Sequence, residues 1–445
     1  MRLLGRDGLA NFLNRISETP EGKYWVVNEA SVISLEMEKV SSKVPVMFDR
    51  DDVFYSEIEK TDAETVSDRA MRVPLEMRPG GFFGHYDMDG GDLGVGDGPK
   101  FEHGTLNVAH LKFAVQWTKL AETGTNDKRK AVVDAFQRIL AGAMPEFRRN
   151  IDSLCMQSGN GVLGTISAVS TTTITDDTYA LNTDGFGARL MRYGQQLNVY
   201  DTTLATHRSS TGEAKIITYD LANKSIVVDR SITGVAATDK LVVSGLSGAS
   251  PVSILGIPYH ATNASTGTWL GFTRSTTPEI RANRVNAAGN LALPFPRLAM
   301  NKIGDRLGKS MKSQKMAAWM HPCQKQAYEG LGQLIQMLDK SNSGSQKMDL
   351  YFSDNMQMAG APVRDHFSWD KTRIDFLAMN LWGRAEFSPA GFYKSKDGRR
   401  FFELRGPSGG VKTSDVFYLT VSFNMYSKNP AAITYIDGLT VPSGY

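Results

Sequence analysis

Between Pro79 and Pro99 the chain reads GGFFGHYDMDGGDLGVGDG, with eight glycines, four aspartates and no lysine or arginine. Glycine loses more conformational freedom on ordering than any other residue. A window this rich in it reads as a loose acidic loop with little apolar surface to offset that loss. The flanks are different. Before the loop, Met71, Val73, Leu75 and Met77 alternate with Arg72, Pro74, Glu76 and Arg78. After it, Ala109, Leu111, Phe113, Val115 and Trp117 keep a two-residue period. Period two is the signature of a half-buried strand. The expectation is a long two-stranded arm that joins these two runs and carries the loop at its tip. An isolated two-stranded ribbon is marginal in water, so such an arm calls for another surface, such as a second subunit, to cover it.

The rest of the composition narrows the class. The chain has 445 residues, 41% apolar and 22% charged, as an ordinary globular protein does. That length suggests roughly three domains. Fifty Lys plus Arg stand against 47 Asp plus Glu, a net charge of +3. So even a balance argues against a dedicated nucleic-acid binder. Two distant cysteines, Cys155 and Cys323, do not make a disulfide framework and fit a reducing compartment. Met1 to Asp7 lacks the apolar core of a secretory signal. Leu241 to Thr273 carries no formal charge but is broken by Gly245, Gly248, Pro251, Gly256 and Pro258. It reads as buried strands and turns rather than a membrane span, which needs about 20 apolar residues in a row.

Along the chain, residues 1–48 form an arm with a short amphipathic helix at Leu9, Phe12, Leu13 and Ile16. Residues 49–119 hold an acidic stretch and the hairpin. Residues 120–164 carry the clearest helical pattern. Asn126-Asp127 supplies a cap, and Val133, Phe136, Leu140, Met144, Phe147, Ile151 and Leu154 share one face. Asp127 to Gln157 would run roughly 46 Å. Pro145 lies inside this span and either bends the helix or divides it into two. Residues 165–250 turn Thr-, Ser-, Gly- and Val-rich. Short strands at 215–219, 225–229 and 240–243 suggest an inserted small β-barrel or sandwich. Residues 251–297 and 298–414 mix types, with helices near Leu298 to Leu307 and from Pro322. In 415–445, Phe417, Leu419, Val421, Phe423 and Met425 mark a long late strand.

Motifs for chemistry are weak. Gly308-Lys309-Ser310 resembles the end of a phosphate loop, but Ile303 occupies the place of its first glycine and a helix precedes it. Asp87, Asp89 and Asp92 could hold Ca²⁺, yet their spacing is not that of a calcium loop, and a solvated tip is the plainer reading. None of the seven histidines pairs with another at helical spacing. His321-Pro322-Cys323 offers only two ligands. There is no nucleophile elbow, Cys/His signature or dinucleotide fingerprint. The pairs Arg148-Arg149 and Arg399-Arg400 are too sparse for a phosphate-binding patch. No cofactor is expected.

The order of parts is the stronger signal. An arm, a glycine-tipped hairpin, a long helix, a β-rich insertion, a mixed region and a late strand follow one another. This layout resembles the major capsid proteins of tailed double-stranded DNA bacteriophages, the Hong Kong 97 type fold. Local strings are similar too: Ser253-Ile254-Leu255-Gly256-Ile257-Pro258, Trp269-Leu270-Gly271-Phe272-Thr273-Arg274-Ser275, Gly360-Ala361-Pro362-Val363 and Ser427-Lys428-Asn429-Pro430. The resemblance implies an α+β fold with N-arm (1–48), E-loop hairpin (49–119), spine helix and start of P-domain (120–164), inserted β domain (165–250), P-domain (251–297), A-domain (298–414) and a last P-domain strand (415–445). It implies a non-enzymatic subunit that assembles with many copies of itself, as pentamers and hexamers, into an icosahedral shell. A separate scaffolding protein, a portal and non-specific contact with packaged double-stranded DNA are the implied partners, with no membrane. The implied places are the virion and, during assembly, the host cytoplasm. Candidate assembly residues are Arg72, Arg78, Gly80, Gly81, Asp87, Asp89, Asp92, Lys100 and Pro145. A virion accessory protein, or an enzyme with an unfamiliar site, are the alternatives from other classes.

Overall fold

Among the described residues, strands outweigh helices in the computed structural model. It describes residues 54–61, 65–67, 70–78, 80–118, 143–176, 191, 194–208, 213–220, 223, 225–246, 249, 252–308, 315–339, 356–405 and 409–442. The expected N-arm and residues 127–142 of the expected long helix lie outside these. The chain divides into two units. One holds Lys112–Met144 and Ala390–Thr420 with residues 1–48; the other holds Asp49–Leu111, Pro145–Pro389 and Val421–Tyr445.

In the larger unit, β1 (Ala70–Arg78) and β2 (Lys100–Asn107) pair antiparallel, from Ala70↔Asn107 to Arg78↔Lys100. This corrects the expected arm. The strand returning from the loop is Lys100–Asn107, and Ala109–Thr118 is a separate strand that pairs elsewhere. Lys100–Asn107 lacks an apolar period because its inward positions hold Gly104 and Glu102 beside Leu106, opposite Val73, Leu75 and Met71.

Next come helical residues 143–155, here α1. Their apolar face, with Phe147, Ile151, Leu154 and Cys155, is buried. Six strands then close into a barrel in the order β7-β4-β3-β8-β5-β6. They are β3 (Val162–Ser170), β4 (Thr173–Asp176), β5 (Gln196–Tyr200), β6 (Ala214–Asp220), β7 (Ser225–Val228) and β8 (Lys240–Val243). Closure removes sheet edges, which suits a Thr- and Ser-rich segment of short strands. Its interior is apolar: Ile166, Ile174, Leu197, Val199, Ile216, Ile226 and Leu241 are buried together. The barrel begins at Val162, ahead of the expected 165.

A six-stranded mixed sheet carries a second apolar core, in the order β9-β14-β13-β10-β12-β11. Its strands are β9 (Asn283–Gly289), β10 (Met316–Met320), β11 (Gln357–Met358), β12 (Ala361–Asp365), β13 (Ile374–Ala378) and β14 (Thr434–Leu439). They come from all three of the stretches 251–297, 298–414 and 415–445. Helix α2 (Pro294–Leu307) starts with proline at its first turn, where the missing N–H does no harm. It buries Ala299 and Ile303 against Val285, Ala318, Phe376 and Ile436. Helix α3 (Pro322–Asp339) follows β10. Gly308 caps the end of α2, so the phosphate-loop-like string follows a helix rather than a strand.

A buried polar brace ties distant segments of this unit. Asp152 on α1 accepts a hydrogen bond from the Tyr55 N–H at 3.2 Å and is hydrogen-bonded to His366. The Tyr55 hydroxyl is hydrogen-bonded to Glu386, and Arg384 donates to the Tyr55 carbonyl at 2.8 Å while lying 4.2 Å above its ring. Burial raises the Tyr55 phenol and the Cys155 thiol above their usual ranges, so both stay neutral.

In the smaller unit, Phe401–Arg405 pairs antiparallel with the first part of Val411–Ser427. Phe401 stands opposite Phe417, and Phe392 lies 5.7 Å from Phe417.

Candidate assembly hairpin

The inward face of the hairpin root is built from alternate residues. Met71, Val73 and Leu106 are 3%, 4% and 0% exposed and pack with Trp269, Leu270, Ile280, Ala385 and Tyr426. The contact is keyed by a small turn. Thr268–Trp269 and Phe272–Thr273 form a two-residue hairpin whose central residues, Leu270 and Gly271, have φ +49° and +95°. Positive φ at both positions is what a type I′ turn requires, and Leu is an expensive choice there, by about 1–2 kcal/mol. Two hydrogen bonds hold it. The Leu270 N–H donates to the Tyr259 hydroxyl at 3.0 Å, and Thr105 N–H donates to the Leu270 carbonyl at 2.9 Å. The Leu270 side chain then fills the space beside Gly104, where a β-carbon would sit 3.0 Å from Leu270 Cβ. Gly104 is the hole and Leu270 the knob.

Behind this knob lies His260, fully buried. Trp269 Nε1–H donates to His260 Nδ1 at 2.9 Å, and His260 Nε2 meets the Met425 carbonyl at 3.1 Å. The two partners fix the neutral ring with its proton on Nε2. Burial pushes this imidazole down to about 3.

Above the root the chain changes character. Gly81 N–H donates to the Asp97 carbonyl at 2.8 Å and closes the neck. Gly80 has φ +72°, and a β-carbon on it would come 2.6 Å from the backbone of Gly98 and Pro99. Only glycine fits. Beyond the neck, Asp87 Oδ1 accepts from Asp89 N–H and Asp92 Oδ1 from Gly94 N–H, each at 3.0 Å. The aspartates thus fold the loop on itself, as short Asx turns do. Among the described residues no group of His, Cys, Asp and Glu has the geometry of a metal site.

The tip is not poor in apolar surface, and here the sequence expectation is corrected. Phe83, Val95 and Met88 are 99%, 96% and 88% exposed, and Phe82, Leu93 and Tyr86 are also well exposed. Sequence reasoning weighed the glycines and aspartates and passed over these six. Their presence in a window read as solvated was the available signal. Of the other candidates, Arg72 points outward from β1. Arg78 lies 3.3 Å from Glu279 and Lys100 2.5 Å from Glu102, both at the surface. Pro145 is exposed among the helical residues of α1, apart from the hairpin, and one boundary between the two units falls just before it.

No protein-family model matches this chain, and no curated protein does. The chain is similar to solved capsid structures. Against the cyanophage A-1(L) capsid asymmetric unit the identity is 14%, with 86% of this chain and 90% of that one covered and a TM-score of 0.48. The asymmetric unit of the bacteriophage PhiM1 mature capsid gives 8%, 87% and 87%, and 0.42. The capsid of the native GTA particle gives 12%, 87% and 90%, and 0.39.

Proposed function

We propose that this chain is the major structural subunit of an icosahedral phage shell of the Hong Kong 97 type, a building block rather than an enzyme. One observation carries the reading: a hairpin rooted firmly in its own body holds six large apolar side chains in water at its far end. Large apolar patches on a soluble chain mark interaction surfaces. Burying each such side chain against a neighbour is worth about 1.5–3 kcal/mol. The order of parts along the chain supplies the kind of neighbour, other copies of the same subunit, tiled as pentamers and hexamers.

In this reading the hairpin is the E-loop, α1 is the end of the spine helix, the six-stranded sheet belongs to the A- and P-domains, and the barrel is an insertion. Arg72, Arg78, Gly80, Gly81, Asp87, Asp89, Asp92 and Lys100 shape or flank the contact. Pro145 is the place where the helix flexes as the shell expands. A separate scaffolding protein and a portal take part in assembly, packaged DNA is touched without sequence preference, and the subunit ends in the virion after assembly in the host cytoplasm.

The test replaces residues 80–98 with a short turn. The variant should fold and melt like wild type yet give no shells by sedimentation and electron microscopy. Shells of normal yield from it would remove the proposal.

A further inference from the structure

The larger unit also carries an open groove of about 1120 Å³ between α2, β10 and the turn leading into β12. That is more than the roughly 300–1,000 Å³ of a small-molecule pocket. Part of its wall is apolar and soft: Met300, Met316 and Met379 line it, and methionine adapts to irregular partners. Its rim is cationic. Arg297, Lys315 and Arg364 border it, and Glu57, the one acidic liner among the described residues, lies 3.0 Å from Arg364. Subtracting that pair leaves Arg297 and Lys315, both with exposed side chains, to set the sign of the rim.

The hairpin tip has the matching character. It exposes aromatic and aliphatic side chains, and its formal charges are all negative, from Asp87, Asp89, Asp92 and Asp97. We infer that this methionine-lined, basic-rimmed groove receives the acidic, apolar hairpin tip of a second copy of the chain. The inference rests on the assembly reading above and assigns the surface that the tip meets. Every copy then offers one tip and one groove. Such a head-to-tail contact closes into rings when the rotation between copies permits. Water leaves the methionine walls, and the Asp–Arg and Asp–Lys attractions strengthen as the contact dries.

Two experiments on the full-length chain decide it. In the first, Arg297→Glu with Lys315→Glu should leave thermal melting unchanged and lower shell yield at low salt at least about tenfold. Adding Asp89→Lys and Asp97→Lys, whose carboxylates are not the ones that cap the loop, to that variant should restore most of the yield. In the second, Val95→Cys on one copy and Met300→Cys on another should form an intermolecular disulfide in assembled particles. The native Cys155 and Cys323 are buried and give a low background. Full assembly of the Arg297→Glu/Lys315→Glu variant, absence of rescue, or absence of the disulfide in intact particles would each overturn the assignment. The two readings fail separately. If the tip replacement abolishes shells while the groove variant assembles normally, the hairpin contacts another surface. If the tip replacement itself assembles normally, both fall.

Discussion

At its root the hairpin buries Met71, Val73 and Leu106 against Trp269 and Leu270; at its tip the same ribbon holds Phe83, Met88 and Val95 in solvent. The root obeys the rules of a monomer core. Knob meets hole, a strained turn is held by two hydrogen bonds, and a neutral histidine sits behind it. The tip obeys none of them. Its backbone is ordered by its own aspartates, and its apolar side chains find no cover within the chain's described residues. The contrast shows that one element answers to two sets of forces. Folding of the subunit fixes where the hairpin starts, and association fixes what its end must look like.

That contrast can be broken most directly at the tip. Changing Phe82, Phe83, Met88 and Val95 together to Ser should leave the melting temperature of the isolated subunit within error. Assembly should drop by more than about 1,000-fold, since each lost contact is worth about 1.5–3 kcal/mol; light scattering during assembly reads it. The root should behave in the opposite way. Leu270→Ala removes the knob over Gly104 and should cost the isolated subunit about 2–4 kcal/mol in urea unfolding, with no relief of the left-handed backbone, since alanine keeps the β-carbon.

A pH titration sharpens the same distinction. His260 stays neutral in the fold because its imidazole is held near 3 rather than 6.5. The unfolded chain therefore takes up a proton that the folded one refuses. Stability from this group is complete above about pH 6.5 and is lost as pH falls toward 3, by about 2 kcal/mol at pH 5. His260→Gln should flatten that part of the pH dependence of unfolding, at some loss of stability near neutrality. The smallest effect belongs to the neck: Arg78→Ala breaks an exposed pair with Glu279 and should change stability by less than about 0.5 kcal/mol.

Much of the architecture was legible in the residues. The period-two run 71–77, helices over Leu298 to Leu307 and from Pro322, the strands near 215–219 and 225–229 and the long late strand through Phe417 to Met425 follow from local pattern. The return strand Lys100–Asn107 was not legible. Its inward face holds a glycine that makes sense only when Leu270 is known to fill the gap, and those residues meet through tertiary structure. The tip was half legible: its glycines and aspartates announced a loop, while its apolar residues were outvoted by composition.

Sequence alone determined where this chain alternates, where it turns and which window cannot be a strand, because those choices rest on side-chain period and backbone freedom within a few residues. Tertiary structure alone decided the pairing of Val73 with Gly104, the brace from Tyr55 through Asp152 to His366, and the burial that keeps His260 neutral. The partners in the brace lie 97 and 214 positions apart. No local pattern encodes such meetings; they appear only when burial brings the segments together and leaves buried polar groups to find partners among those within reach.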